Sequence, residues 1–397
     1  MHPTHGLWQK GADVMKNHLV TWCTRISAWR VGALSAVALL LVSLATIAAA
    51  DASWTTTRLT DSDTAKSYVR ISGTRVTWMQ WDYNAEGGLS YIMTKAGESA
   101  VTTVAAQTGS CYPAVSGSHI AWAAKDDSGV WHIYESSEPL AIGEAYHAMT
   151  DVRIRGTRLA WLQTMYSSDS SAVYTHELGD SSPVRVSTTD MQSCVNLRLS
   201  STGRLVWITK KDGRYHVFTW KPGYDSPIQV TSGDHDHLSA NVSGDRIVWR
   251  EKVDGIRQVF TWKPGYDSPI QVTSGSVNHW LPAVSGDRII WKQAEEGVYQ
   301  IFSHVMGVAG TTQLTNGTLH VRGPVISGNH LAWRQMLTRY DHTLQVWAKD
   351  IGDTSASRLS TGDGYCWGPR ISGNRIVWIQ RVGTEDRREV YSATPAQ

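Results

Sequence analysis

Pro282-Ala283-Val284-Ser285-Gly286-Asp287-Arg288-Ile289-Ile290-Trp291 and Pro369-Arg370-Ile371-Ser372-Gly373-Asn374-Arg375-Ile376-Val377-Trp378 are two copies of one pattern. An apolar run meets Ser-Gly-Asp or Ser-Gly-Asn, and a second apolar run ends in tryptophan. Glycine at the first central position of a two-residue loop suits a II′ hairpin turn, so each copy predicts two antiparallel strands, A and B. Proline just before strand A is tolerated because the first residue of a strand need not donate to the ladder. A third run follows, such as Tyr299-Gln300-Ile301-Phe302 or Gln258-Val259-Phe260-Thr261-Trp262, and then a fourth, such as Ile270-Gln271-Val272-Thr273. These predict strands C and D.

The terminal tryptophan recurs at Trp78, Trp122, Trp161, Trp207, Trp249, Trp291, Trp333 and Trp378, at intervals of 44, 39, 46, 42, 42, 42 and 45 residues. A period near 42 with four short strands per repeat predicts an all-β propeller of eight four-stranded blades. Seven blades is the alternative, should the divergent third repeat, Val152-Arg153-Ile154-Arg155-Gly156, be irregular. Val217 to Gly233 and Val259 to Gly275 are identical over 17 positions, the mark of a recent duplication of one repeat. After Trp378 there is room only for a strand C, Arg388-Glu389-Val390-Tyr391. Thr56-Thr57-Arg58-Leu59-Thr60 resembles Thr312-Gln313-Leu314-Thr315 and precedes the first strand A, so it is expected to supply the missing strand D and close the ring.

Pro-x-Ile/Val-Ser-Gly-x-x-Ile-x-Trp, followed by Val/Ile-Tyr/Phe and a final Gln-Leu/Val-Thr, resembles the WD40-like repeats of the TolB-type propeller superfamily across about residues 55 to 395. Those repeats carry Pro-x-Trp-Ser-Pro-Asp-Gly where this chain has Ser-Gly-Asp or Ser-Gly-Asn, which resembles the exported bacterial and archaeal surface propellers more closely. The resemblance implies a fold and names no activity, because propellers host enzymes, receptors and scaffolds alike.

The chain has 19 tryptophans and only 3 phenylalanines. Eight of the indoles share one repeat position, which marks them as packing between blades, each burial contributing about 2 to 3 kcal/mol. Residues 1–52 read as an export signal or signal anchor ahead of the propeller at 53–397. Lys16, Arg25 and Arg30 precede an uncharged apolar run from Val31 to Ala50, with Ala48-Ala49-Ala50 or Ala50-Asp51-Ala52 as small residues for cleavage. Uncut, a run of this length would span a bilayer. Either way the propeller is expected outside the cytoplasm, extracellular, at the cell surface or in the periplasm. Without residues 1–52 the chain has 33 basic and 33 acidic side chains. A neutral body offers no electrostatic case for nucleic acid or for membrane contact beyond the anchor.

The loops from strand D of one blade to strand A of the next run toward the mouth of the central channel. Cys111, His147, Cys194, His237, His279, His320 and Cys366 stand 11, 14, 13, 12, 12, 13 and 12 residues ahead of their blade tryptophans, so seven of eight loops carry cysteine or histidine. Three readings follow. Thiolate and imidazole suit zinc or copper, which makes these seven residues a candidate metal site. His147, His237, His279 and His320 beside Tyr112, Tyr146, Trp280, Tyr365 and Trp367 suit a peptide or sugar ligand. By the WD40 resemblance, a histidine here bonds its own blade and is structural.

Cys111, Cys194 and Cys366 form an odd set, so one disulfide would leave a free thiol. The acidic turns Asp126-Asp127-Ser128-Gly129, Asp254-Gly255 and Glu295-Glu296-Gly297 read as hairpin turns, since no full calcium-loop pattern follows them. Gly-x-Ser-x-Gly, His-Glu-x-x-His and phosphate-loop patterns are missing from the sequence. The expected function is an exported binding or scaffold propeller presenting one face to a protein or carbohydrate ligand, without a required cofactor. The alternative is a metal-dependent polysaccharide lyase or hydrolase at the channel mouth.

Overall fold

The computed structural model describes residues 53–82, 88–108, 111–136, 142–144, 148–164, 170–338, 343–383 and 387–396. The expected export segment, 1–52, and His147 with its neighbour Tyr146 lie outside the described residues. The described chain forms 32 strands in eight four-stranded antiparallel sheets. Strands A run Ala65–Ser72, Ala114–Ser116, Met149–Arg155, Gln192–Leu199, Leu238–Ser243, His279–Ser285, Val321–Ser327 and Cys366–Ser372. Each touches strand A of the next blade, and the eighth touches the first, so the ring is closed with strands A innermost. The third repeat makes a regular sheet, and the blade count is eight.

The closure is built as the ends of the sequence imply, shifted by two residues. Trp54–Arg58 pairs antiparallel with Arg388–Pro395, with Thr56 opposite Ala393 and Arg58 opposite Tyr391. Leu59 extends the ladder by donating its amide to the Val390 carbonyl at 2.8 Å. The seam is also ionic. The Glu389 carboxylate, fully buried, accepts from Thr60 Oγ1 and from the Ser62 amide at 3.0 Å, and it pairs with Arg58, Lys66 and Arg387 at 3.1, 3.2 and 3.0 Å. Lys66 is fully buried too, and its ammonium donates to the Ser62 and Thr64 carbonyls and the Ser62 hydroxyl.

The core is eight wedges between blades. One wedge joins Val206, Ile208, Val217 and Val230 of blade four to Ala240, Ile247 and Trp249 of blade five; another joins Val377, Ile379 and Val390 of blade eight to Val69, Ile71, Val76 and Trp78 of blade one. Every wedge holds one repeat tryptophan, and all eight are buried. Each faces a strand C residue directly across the ladder, an aromatic ring in seven blades. Trp249 stacks on Phe260 at 6.1 Å and Trp378 on Tyr391 at 5.7 Å. The indole N–H of Trp291 is satisfied two residues on by Gln293 Oε1 at 2.7 Å, and that of Trp249 by Glu251 at 2.8 Å.

The other repeat residues also have structural duties. Gly286 has φ +58° at the first loop position, with Ser285 opposite Arg288, so the two-residue turn forms as expected. The serine before that glycine ties blades together, its hydroxyl accepting the glycine amide of the next blade. The pairs are Ser72 with Gly117 (3.0 Å), Ser116 with Gly156 (2.8 Å), Ser243 with Gly286 (3.1 Å), Ser285 with Gly328 (2.9 Å) and Ser372 with Gly73 (2.9 Å). Blade three has Arg155 in that place. At the junction of blades four and five Asp245 instead accepts from Arg204 at 2.9 Å and Thr202 at 3.1 Å. The Gln-x-Thr signature caps strand C where strand D ends. Thr273 and Thr315 hydroxyls accept the Val259 and Ile301 amides at 2.8 and 2.9 Å, and Gln271 and Gln313 donate to the carbonyls of those threonines.

Candidate functional site

Near the start of strand A stands a residue that the preceding blade contacts, as the described cysteines and histidines of this set do. His237 Nδ1 lies 3.0 Å from the Tyr215 carbonyl and its Nε2 lies 3.1 Å from Glu251. His279 Nδ1 lies 3.0 Å from the Arg257 carbonyl, one repeat further on. Both rings are buried. Burial lowers the pKa of His279, opposed by its bonds to the Arg257 backbone and to Gln293. Burial pulls the Glu251 carboxyl up, but the His237 and Trp249 donors outweigh it and hold it below the usual carboxylate range. His320, half-buried, accepts the Tyr299 amide on Nδ1 at 3.1 Å.

Cys111, Cys194 and Cys366 are free, buried thiols in three different wedges. They lie against Ser90 at 3.2 Å, Thr209 at 3.5 Å and Gln345 at 3.9 Å. Burial raises all three pKa values, that of Cys366 to about 11. A thiol held protonated is a poor ligand or nucleophile at neutral pH. Among the described residues no three His, Cys, Asp or Glu side chains cluster to hold a metal ion. The three cysteines thus stand in separate wedges, and His237, His279 and His320 join them in no three-ligand cluster among the described residues.

The aromatic neighbours divide differently. Trp280 meets the guanidiniums of both Arg250 and Arg257, at 4.7 and 4.2 Å from the ring. Trp367 carries Arg388 at 4.8 Å and meets Tyr365 edge-on at 5.1 Å. Tyr112 meets Tyr68 edge-on at 4.4 Å, both rings exposed. Trp367 and Tyr68 line a cleft of about 520 Å³ where blade eight meets blade one, walled also by Trp81, Arg70, Arg370 and Arg388. A smaller cleft of about 350 Å³ lies between blades four and five, where His235, Asp236, Arg250 and Arg257 mix both charges.

Backbone geometry shapes the larger cleft. Seven of the eight A strands break register by a bulge at their midpoint. Six bulges hold a residue at positive φ: Tyr68, Asp151, Asn196, Ser239, Leu281 and Gly323, between +52° and +58°. A bulge of this type turns the following side chains away from the regular pleat. Left-handed conformation at a tyrosine or leucine costs about 1 kcal/mol or more, a strain that the surrounding ladder has to hold. Lys66, Tyr68 and Arg70 were not singled out by the sequence reading. Lys66 was within reach, since it stands 12 residues ahead of Trp78, as His237, His279 and Cys366 do ahead of theirs.

No known protein-family profile matches the sequence, and no curated protein matches it. Among solved structures the chain is similar to the β-propeller domain of the Trilobed protease from Pyrococcus furiosus, at 9% identity and a TM-score of 0.50 over 76% of this chain and 99% of that one. It is similar to a prolyl endopeptidase at 14% identity and a TM-score of 0.52, over 80% of this chain and 54% of that one. The chain thus spans about half the length of that peptidase. A putative TolB from Agrobacterium tumefaciens aligns at 15% identity and a TM-score of 0.41, over 64% and 92% of the two chains. Likeness this distant shows the propeller fold alone. The Pyrococcus propeller is described as having an open velcro topology, whereas here the terminal strands pair.

Proposed function

We propose that the chain is an exported binding propeller that takes a polypeptide segment in the cleft between blades eight and one. The observation that carries this reading is the lining of that cleft: three aromatic rings, Tyr68, Trp81 and Trp367, beside the guanidiniums of Arg70, Arg370 and Arg388. Tyrosine, tryptophan and arginine are the residue types that dominate binding energy at protein interfaces, where flat rings and forked donors meet backbone and carboxylate. The basic lining favours an acidic segment. Export is supported by the apolar run from Val31 to Ala50 behind Lys16, Arg25 and Arg30. Among the described residues no cluster of His, Cys, Asp or Glu side chains supports the channel-mouth metal reading.

Selection of displayed peptides on the wild-type chain, followed by affinity measurement on Trp367→Ala, tests the proposal. Acidic, aromatic-containing peptides are expected, with affinity falling at least tenfold, or about 1.4 kcal/mol, on the variant. Peptides that bind the variant as well as wild type would place the site elsewhere, and no enriched peptide, with binding on an oligosaccharide array instead, would favour a glycan.

A further inference from the structure

Arginine occupies one register position in four of the eight innermost strands. Arg70, Arg153, Arg198 and Arg370 each lie opposite the residue just before the blade tryptophan: Thr77, Ala160, Val206 and Val377. The other described strands carry Ala114, Asn241, Ala283 and Val325 there. The position follows the bulge, and the flanking Val69 and Ile71, or Val152 and Ile154, point into the wedges while the arginine takes the opposite side. Each guanidinium folds back so that Nη1 donates to the carbonyl of the residue before it, at 3.1, 3.2, 3.0 and 3.2 Å for Arg70, Arg153, Arg198 and Arg370. The shared conformation leaves four of the five guanidinium donors of Arg70, Arg198 and Arg370 for something else.

Blades one and four are three steps apart around an eightfold ring, so their innermost side chains approach one another only across the lumen. Arg70 nevertheless senses the charges of Arg370, Arg153 and Arg198, and Arg198 those of Arg153 and Arg370. Among the described residues Asp151 is the carboxylate that acts on both, and it is already paired with Arg153 and accepts the Leu197 amide at 3.1 Å. Among the described residues Arg70, Arg198 and Arg370 form no ion pair. Arg370 is exposed to water on the innermost strand of blade eight. Burial first, and then repulsion from the other guanidiniums, pulls Arg70 down to about 9 and Arg198 to about 10. A guanidinium does not give up its proton in this range, so a counter-ion is the available relief.

We propose that the lumen is an anion site, where Arg70, Arg153, Arg198 and Arg370 converge from four blades on one compact, multiply charged oxyanion of the phosphate or polycarboxylate class. Forked donors from several directions match the several oxygens of such an ion, which a monovalent halide could not engage together. The site goes beyond the peptide cleft. Although Arg70 and Arg370 border both, Arg153 and Arg198 do not line the cleft, so variants at these two test the lumen alone.

Calorimetric titration of the full chain with inorganic phosphate, and separately with citrate, at ionic strength balanced with chloride, reads the site directly. Saturable binding of one ion per chain is expected, with a dissociation constant below about 1 mM, and with a raised unfolding temperature for the same ion. Preference for phosphate or for citrate assigns the source of the charge. Arg153→Gln/Arg198→Gln should weaken it at least tenfold. Because Arg153 also donates to the Leu197 carbonyl of the next blade, that variant could lose its fold. Arg198→Gln alone, which gives up no bond to another blade, should then weaken binding at least threefold. No saturable binding to wild type by either ion, or unchanged affinity in a folded Arg198→Gln chain, overturns the proposal.

Discussion

Replacing Glu389 by glutamine should loosen the seam that closes the ring. The carboxylate is fully buried and is met by Thr60, Ser62, Arg58, Lys66 and Arg387, so glutamine keeps the shape but leaves the buried Lys66 ammonium without its nearest counter-charge. Removing one partner of a buried ion pair costs about 3 to 5 kcal/mol. Lys66 retains three hydrogen bonds to Ser62 and Thr64, and Arg387 is solvent-facing, so the low end, about 3 kcal/mol, is expected. Against a total stability of about 5 to 15 kcal/mol this is a large share. Equilibrium urea unfolding of wild type, Glu389→Gln, Lys66→Met and the double variant measures it, with a favourable coupling of about 2 kcal/mol expected between the two sites. The same group sets an acid limb. Burial raises the Glu389 carboxyl, but Thr60 and Arg387 outweigh that and hold it below the usual carboxylate value. The native state therefore binds this proton less readily than the unfolded chain, whose glutamate titrates near 4.3. The stability it contributes is complete above about pH 5 and is lost as pH falls through its depressed native value. Glu389→Gln should flatten that limb. A loss under about 1 kcal/mol, additive with Lys66→Met to within about 0.5 kcal/mol, would refute the seam as a coupled ionic closure.

Trp249→Ala should cost about 3 to 5 kcal/mol in a urea titration, since the indole is wholly buried, stacks on Phe260 and satisfies Glu251; a loss under about 1 kcal/mol would mean that the repeated indoles are not the interblade core. Ser285→Ala removes one interblade bond to the Gly328 amide, which is exposed and regains water, so a loss of only about 0.5 to 1 kcal/mol is expected by the same measurement. A loss beyond about 2 kcal/mol would show that these ties act cooperatively around the ring.

The architecture was legible because packing between identical neighbours imposes the same demand once per blade. Only a large flat side chain fills the space between one strand B and the preceding blade, so tryptophan recurs at that place in all eight repeats, and the Gly286 turn recurs with it in every blade but the fourth. Closure was legible for the complementary reason: an unpaired strand C at one end and an orphan strand D at the other can each be satisfied only by the other. What the serine of Ser-Gly does was not legible. Its partner, the glycine amide of the next blade, is some 40 residues away in sequence, and nothing local marks a hydroxyl that bonds across blades. Histidine and cysteine near the start of strand A recur for a related reason. Among the described residues their regular spacing reflects a largely buried place, filled by whatever small or hydrogen-bonding group fits, from Lys66 through Cys366 to His279. Regular recurrence is the mark of a shared packing duty.

Departures from the repeat carry the opposite information. The position of Arg70, Arg153, Arg198 and Arg370 holds alanine, asparagine or valine in the other blades, so it shows no period and is invisible to any search for one. It can vary because it lies on the face of the innermost strand opposite the wedge, outside the apolar packing between blades. A regular search therefore passes over the places at which a propeller is free to differ. Structure recovers them, because the register places residues from sequentially distant blades at one height on one axis. Tyr68 at +54° and Leu281 at +52° belong to the same class: each is a bulky residue in a conformation that packing alone would not select, held on the innermost strand. Four of the features that break the repeat, Arg70, Arg153, Arg198 and Arg370, stand at one register position of the innermost strands, and the ligands proposed above would there meet unlike neighbours instead of eight equivalent ones.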